Sequence, residues 1–403
     1  MIEKNILRKV ITLQNNEILE RPLGVKRELL SKISLLTNHI LVISGIRRCG
    51  KSTLLLQLMK KVKKPYYFNF EDYRVMGFEI NDFEKLDDLF EELYEDSTYY
   101  FYDEIQNVSE WERYIRTKHD YNKICIITGS NASLLSRELG TKLTGRHLTY
   151  ELFPFSYSEY LVFFKKKLSF ESFNDYFNDG GFPDFLKQSD KAILQEIVKD
   201  IVMKDVIVRH KIRESKTVEE LLIYLLSNIS KEFSYNELAK TFNVGSATSI
   251  INYISYFEDC YLLFTVPRFS FSIKKQRVNP KKIYAIDQGL VKANSVSFST
   301  DNGRILENIV FLHLRRYYKD IFYFKEKNEC DFIIKEKEKP ISAIQVCYEI
   351  NNDNMLREIN GLKEAMSQLN IKNGLIITLN QEDKLGGIKL IPVWKWLCNP
   401  FFC

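Results

Sequence analysis

Gly45, Gly50, Lys51 and Ser52 stand at the spacing G-x-x-x-x-G-K-[S/T] inside the stretch ISGIRRCGKSTLLLQL. Glycines let a short loop fold tightly enough for successive backbone N–H groups to converge on an anion, and a helix beginning near Lys51 adds the positive end of its dipole. The Lys51 ammonium would reach the β- and γ-phosphates of a nucleoside triphosphate, the Ser52 hydroxyl would ligate magnesium, and Thr53 is counted with Gly45, Gly50, Lys51 and Ser52 as a cofactor-binding residue. The pattern predicts ATP bound with Mg2+. Arg47 and Arg48 within the loop read as solvated cations, and Cys49 as a small filler.

A phosphate loop by itself only binds, and hydrolysis needs a metal partner and a group that activates water. YYFYDE supplies both at the end of an apolar run: Asp103 to hold the magnesium, usually through its water, and Glu104 to accept a proton from the attacking water. The run ICIITGSN ends in Ser130 and Asn131. Asn131 either sits between the γ-phosphate and that water or caps the helix ASLLSREL, and the two roles can coexist. Arg146, in KLTGRHL, opens the next run and is a candidate for stabilising transition-state charge, within its own chain or across a subunit interface. Arg137, Arg209 and Arg213 read as surface salt-bridging residues.

The elements that must position these groups follow from the hydrophobic pattern. Apolar runs at Ile40 to Ser44, Tyr66 to Phe70, Tyr99 to Tyr102, Ile124 to Thr128 and His147 to Leu152 alternate with helical spacing, as at Ile80, Phe83, Leu86, Phe90 and Leu93. Ser109 and Glu112 predict a capping box opening EWERYIR. Strand and helix in alternation imply a parallel sheet wrapped by helices. Beyond Pro154 the pattern turns mostly helical; from about Thr217 a helix is followed by FSYNELAKTFNVGSATSIINYISYFEDC, with Ser234 as a cap and NVGS as the turn between two helices. YLLFTVPRFSF and KKIYAI read as a two-stranded wing, so a winged helix is expected. The last hundred residues run helix, three strands, helix (Asn352 to Leu369) and strand, with a tight turn at EKEKP: a separate small α/β unit.

At 403 residues the chain is expected to form two or three domains. Composition of 45% hydrophobic and 28% charged residues fits a soluble globular protein, and a formal charge of +5 is too small to diagnose nucleic-acid binding. Seven scattered cysteines without a CxxC pair fit a reducing, cytoplasmic setting. MIEKNILRKV is too charged for a signal peptide, and no apolar run approaches membrane-spanning length, so no membrane partner is expected.

With GIRRCGKST, YYFYDEIQNV, ITGSNASLLS, LTGR and LFPFSYSEYL in this order, the chain resembles the bacterial and archaeal AAA+-like ATPases that carry a C-terminal domain of unknown function. GGFP, IYAIDQGL and ENIVF, CDFII and QVCY continue the match over nearly the whole chain. The resemblance implies an ATPase domain, a winged helix and a tail similar to PD-(D/E)xK nucleases. Such a tail needs two acidic metal ligands and a lysine, the second acid and lysine two apart on one strand. Glu307 and Asp331 match the first positions; Gln345 stands where an acid is expected and Cys347 where the lysine is expected. Gln345 offers an oxygen without charge and Cys347 cannot replace an ammonium, so a degenerate nuclease fold is expected.

The reading is an α/β chain: an N-terminal helical segment (1–36), a P-loop parallel sheet with helices on both faces (37–160), a helical linker (161–215), a winged-helix domain (216–298) and a small restriction-endonuclease-like α/β domain (299–403). Its expected role is a magnesium-dependent ATPase acting as a nucleotide-driven switch, with double-stranded DNA or a protein as partner and a homo-oligomer as a possible assembly. The alternative is an ATP-dependent enzyme with an active nuclease tail. The wing cations Arg268, Lys274, Lys275, Arg277, Lys281 and Lys282, interleaved with Phe269 and Phe271, have the pattern of residues that meet DNA phosphates, while a winged helix also serves as a protein-interaction or packing module and a Lys-rich loop is often only solvated.

Overall fold

The computed structural model describes residues 1–130, 143, 145–296 and 301–398, and divides the chain into two units, Met1–Phe153 and Pro154–Cys403. In the first unit α1 (Lys4–Glu20) precedes β1 (Ile40–Ser44) and α2 (Lys51–Met59). β2 (Tyr66–Asn69), α3 (Asp82–Leu93), β3 (Tyr99–Asp103), α4 (Trp111–Asp120), β4 (Ile124–Gly129) and β5 (His147–Glu151) follow. The strands form one sheet in the order β2-β3-β4-β1-β5 with every pair parallel. β1 is buried at every residue, as expected for a central strand covered on both faces, and this is why ILVIS reads as a continuous apolar run.

Two local expectations are corrected here. α1 places Leu7, Val10 and Ile11 in one core with Phe68, Phe83 and Leu86, so residues 1–36 belong to the sheet unit and are no separate segment. α4 starts at Trp111 with Glu110 as its N-cap at φ 61°, which makes Arg113 the third helical residue. The Arg113 N–H bonds the Glu110 carbonyl at 3.1 Å, and the capping box from Ser109 to Glu112 does not form.

The second unit opens with α5 (Tyr157–Phe164), α6 (Phe170–Asp179), α7 (Pro183–Gln188) and α8 (Lys191–Asp200), the last running into a π-helical stretch, Ile201–Val208. After α9 (Ser215–Ser227) come β6 (Glu232–Phe233), α10 (Tyr235–Thr241), α11 (Ala247–Asp259), β7 (Leu263–Pro267), α12 (Ile273–Val278) and β8 (Lys281–Ala285). β6, β8 and β7 make a three-stranded antiparallel sheet, and Ser234 caps α10 by accepting the Glu237 N–H at 3.2 Å. α13 (Gln288–Asn294) and α14 (Asn302–Arg315) lead to the tail: β9 (Ile321–Lys325), β10 (Glu329–Glu336), β11 (Lys339–Cys347), α15 (Met355–Leu369), β12 (Asn373–Thr378), β13 (Asp383–Leu385), β14 (Ile388–Pro392) and α16 (Val393–Trp396). Its sheet order is β13-β14-β12-β11-β10-β9, parallel from β11 through β12 to β14 and antiparallel elsewhere.

The stretches GGFP and IYAIDQGL, far apart in sequence, meet in this unit. Asp287 accepts the Gly181 N–H at 2.6 Å and caps α13 by accepting the Leu290 N–H at 2.9 Å. A Cβ at Gly180 would lie 2.3 Å from Asp287 Oδ1, and one at Gly181 the same distance from the Phe155 carbonyl oxygen, so only glycine fits at either position. Burial pushes the Asp287 carboxyl up to about 6, the backbone N–H bonds from Gly181, Leu290 and Gly289 offsetting only part of the desolvation. Between about pH 4 and 6 the folded form therefore retains a proton that the unfolded chain sheds, and this residue's contribution to stability falls as pH rises through that window, by about 3 kcal/mol in all. Urea denaturation across this window is expected to show a shallower loss of stability in Asp287→Asn than in wild type; parallel curves would contradict the assignment.

Candidate functional site

The carboxyl ends of β1, β3 and β4 bring the predicted phosphate-loop and acidic residues together. β4 lies between β1 and β3, with Ser44 level with Gly129 and Tyr102 level with Ile127. One residue further along, Asp103 and Thr128 face one another: the Thr128 hydroxyl donates to the Asp103 carboxylate and accepts the Glu104 N–H at 2.9 Å. Gly45 must be glycine because its Cβ would lie 2.2 Å from the Leu152 carbonyl oxygen, and Gly50 takes the left-handed φ of 100° that ends the loop and starts α2 at Lys51.

Lys51 is almost wholly buried, its Nζ 3.2 Å from the Gly45 carbonyl, 3.3 Å from that of Ile46 and 3.3 Å from Glu104 Oε1. Burial works against its charge, yet the Glu104, Cys49 and Asp103 fields outweigh it and hold the ammonium above its usual range. Glu104 shows the mirror effect: burial raises its carboxyl, but Lys51, Gln106 and Arg47 bring it below the ordinary value. Asp103 is raised, first by burial and next by the Glu104 charge, against hydrogen bonds from Ser52 and Thr128. The site thus holds Glu104 paired with a cation beside an Asp103 carboxyl whose acidity burial and Glu104 weaken and a divalent ion would restore. A hydroxyl and a carboxylate already bonded to each other form a hard oxygen pair suited to magnesium, with Ser52 and Asp103 as its holders.

Sequence reasoning missed the residues that brace this loop. Arg27 is 2% exposed; its Nη1 donates to the Cys49 carbonyl at 2.7 Å and its Nη2 to the Phe153 carbonyl at 2.7 Å. Gln57 on α2 donates to the Leu23 and Val25 carbonyls at 2.7 Å each, tying the same segment to the helix that follows the loop. Arg27 has no local pattern to announce it, whereas Thr128 is legible as a polar residue closing an apolar strand. Cys49 is a filler: burial pushes its thiol up, and it donates to the Leu152 carbonyl. Arg47 pairs with Glu71 at 3.0 Å.

Asn131 lies outside the described residues, as do Arg137 and the rest of the segment 131–142. Arg146 is not part of the cluster. It immediately precedes β5, its carbonyl accepts the Ile40 N–H at 2.8 Å, and its guanidinium lies 3.4 Å from Asp120. Ile40 starts β1 while the phosphate loop follows its end, so the sheet's length separates Arg146 from the loop of its own chain. A role within the same chain is thereby corrected.

In the second unit, Glu307 on α14, Asp331 on β10 and Gln345 on β11 line one cavity of about 640 Å³, together with Glu329, Cys347 and Glu358. The sequence reading of Lys282 as an exposed wing cation is corrected: it is 3% exposed and ion-pairs with Glu307, Asp331 and Glu329. Lys281 bonds the Tyr235 hydroxyl and Arg268 pairs with Glu326, which leaves Lys274, Lys275 and Arg277 on α12 as the exposed cations of that group. The residues do not fit a nuclease metal centre. Among the described residues no three His, Cys, Asp or Glu side chains are placed to hold a metal ion, Gln345 brings no charge, and burial pushes the Cys347 thiol up to about 11.

Comparison with known proteins matches residues 37–161 to the AAA domain family, residues 170–300 to a domain of unknown function (DUF8612) and residues 302–396 to another (DUF4143). An uncharacterized protein of Methanocaldococcus jannaschii is 37% identical over 98% of this chain and 96% of its own length. An uncharacterized Haemophilus influenzae protein is 27% identical over 90% of this chain and 94% of its own. Among solved structures, AMPPCP-bound DnaA from Aquifex aeolicus aligns with a TM-score of 0.27 at 15% identity, covering 62% of this chain and 88% of that one. No helix among the described residues is long and apolar enough to cross a membrane. The parallel sheet and its phosphate loop are those of an AAA-like P-loop unit, and the chain belongs to the protein family of its Methanocaldococcus jannaschii relative, with an AAA domain at its head.

Proposed function

We propose that this chain is a magnesium-dependent ATPase whose nucleotide state governs contact between its second unit and double-stranded DNA. The observation that carries the first half is the convergence of Lys51, Ser52, Asp103 and Glu104 beyond the carboxyl ends of β1 and β3, the strands that flank β4. An incoming triphosphate would draw the Lys51 ammonium from the loop carbonyls and from Glu104 onto its β- and γ-oxygens, helped by the loop N–H groups. Glu104, released from that ion pair and held by Gln106, then accepts a proton from the attacking water. Magnesium, which Ser52 and Asp103 would hold, would supply charge neutralisation at the phosphates. Thr128 fixes both acids at once, because one hydroxyl serves the Asp103 carboxylate and the Glu104 N–H.

The second half rests on the α10–α11 pair beside the β6-β8-β7 sheet, the layout of a winged helix. Between β7 and β8 the exposed Lys274, Lys275 and Arg277 stand among Phe271, Ile273 and Val278, which are 69–81% exposed. Cations around apolar side chains suit a DNA groove, where phosphates meet the cations and an apolar wedge meets the bases. The nuclease alternative has no such support, since the tail cavity lacks a metal-ligating set.

The test is fluorescence anisotropy of a labelled duplex with Mg·ATP or Mg·ADP, using Glu104→Gln to hold ATP. Affinity is expected to differ at least fivefold between nucleotides and to fall at least tenfold when Lys274, Lys275 and Arg277 are all changed to Glu. Equal affinity in both nucleotides, or an unaffected triple variant, contradicts the proposal and turns attention to a protein partner for the same surface.

A further inference from the structure

A guanidinium is seldom buried unless its donors are put to use. Arg27 lies between the phosphate loop and the segment at which the first unit ends, with Nη1 donating to the Cys49 carbonyl and Nη2 to the Phe153 carbonyl, each at 2.7 Å. The guanidinium fork is planar and rigid, so neither carbonyl can turn without disturbing the bond to the other. The Arg27 backbone is anchored too: its N–H donates to Gln57 Oε1 at 3.3 Å, from the helix that follows the loop.

The first of these bonds fixes the direction of a donor. The Cys49–Gly50 peptide is trans, so its N–H points opposite to its carbonyl. With the Cys49 carbonyl held toward Arg27, the Gly50 N–H is turned to the other face of the peptide. A loop binds an anion only when its N–H groups converge, and this bond sets one of them. A Cβ at Gly50 would lie 3.0 Å from Arg27 Nη1, so the glycine also admits the guanidinium this close.

The second bond belongs to a strap. The Leu152 N–H donates to the Ser44 carbonyl at 2.7 Å, and the Leu152 carbonyl accepts from the Cys49 thiol at 3.4 Å. Both residues before the junction are therefore held by groups of the loop, of the strand leading into it, or of Arg27. Within the second unit the next two carbonyls are also claimed, Pro154 by Arg316 at 2.7 Å and Phe155 by the Tyr176 hydroxyl at 3.1 Å.

We propose that Arg27 is a positioning residue of the phosphate loop, aiming the Gly50 N–H at a bound phosphate and linking the loop's occupancy to the Leu152–Phe153 strap. The proposal rests on the reading of the loop as a nucleotide seat. A phosphate that accepts from the Gly50 N–H polarises that peptide and strengthens its carbonyl as an acceptor for Arg27. The guanidinium so held orders the Phe153 carbonyl through its other nitrogen. Linkage is reciprocal, so loosening the strap weakens the nucleotide by the same factor.

The test is hydrogen–deuterium exchange by mass spectrometry on the full chain, with and without saturating Mg·ADP, beside calorimetric affinity. In wild type the nucleotide is expected to slow exchange about fivefold or more in peptides covering residues 45–53 and in peptides covering residues 150–155. Arg27→Lys and Arg27→Met should each weaken Mg·ADP about tenfold and, at saturation, keep the loop protection while losing that of the strap. Both are measured where circular dichroism shows them folded, and Arg27→Lys, which retains the charge without the fork, is the milder variant. An affinity within threefold of wild type in both, or strap protection that persists in both, overturns the proposal. The wild-type comparison stands whether or not a variant folds: loop protection without strap protection overturns this proposal alone. A wild type that takes up no Mg·ADP overturns the nucleotide reading and this proposal with it.

Discussion

Lys51→Ala is expected to weaken ATP binding at least 100-fold and to reduce turnover to background. The ammonium is placed by the first turn of α2, and its present partners, two loop carbonyls and Glu104, are acceptors that a triphosphate can outcompete. A charged hydrogen bond to phosphate in a buried site contributes roughly 1.5–3 kcal/mol, and Lys51 would make more than one. The same substitution removes the ammonium paired with the buried Glu104 and leaves only the weaker field of Arg47, so its carboxyl should rise and the fold should lose a few kcal/mol. Nucleotide binding must therefore be measured at a temperature where circular dichroism shows the variant folded. An affinity within threefold of wild type under those conditions would remove Lys51 from the site.

Glu104→Gln is expected to separate the two steps that Lys51→Ala merges. Glutamine keeps the shape and the contact with Gln106 but cannot take a proton, so Mg·ATP binding should stay within a few-fold of wild type while hydrolysis falls by about 10²–10⁴. The pH profile sharpens the assignment. Glu104 is held below the usual carboxylate range by Lys51, so it remains ionised as pH falls; Asp103 is raised by burial and by Glu104, so it takes up a proton first. The acid limb of ATP turnover should therefore shift to lower pH when magnesium is raised, because the metal competes with the proton at Asp103. Phosphate release by Glu104→Gln at a rate near wild type would assign the base elsewhere.

The sheet unit was legible because its central strands are covered on both faces and their apolar runs carry no competing period. ILVIS, YYFN, YYFYD and ICIITG all became strands within a residue or two of expectation. The order of those strands was not legible, since the insertion of β4 between β1 and β3 is a matter of tertiary packing, yet it is what brings Thr128 to Asp103. Arg27 was invisible for the same reason: its contacts lie 22 and 126 residues away, and no local spacing encodes them. Glu110 defeated a propensity argument, because its left-handed turn moved the start of α4 past the Ser109 to Glu112 pattern. In the second unit the alternation of KKIYA concealed Lys282, whose charge suggested solvent but whose strand position points it among carboxylates. β13 and β14 were missed where short strands lie beside Gly386 and Gly387.

The same register argument explains why Arg146 and the acidic pair separate. Both are read from strand boundaries, but Arg146 precedes its strand and Asp103 ends one, and in a parallel sheet those positions lie at opposite ends of the strands. A ligand contact by Arg146 would have to come from another chain.

The central claim is that Gly45 through Ser52, with Asp103, form a seat for Mg·ATP. Isothermal titration of Mg·ATP into the purified chain tests it directly, with Lys51→Ala as the paired sample. One saturable site per chain with micromolar affinity, lost in the variant, is the predicted result. Absence of saturable heat in wild type across calorimeter temperatures, with the protein folded, would contradict it.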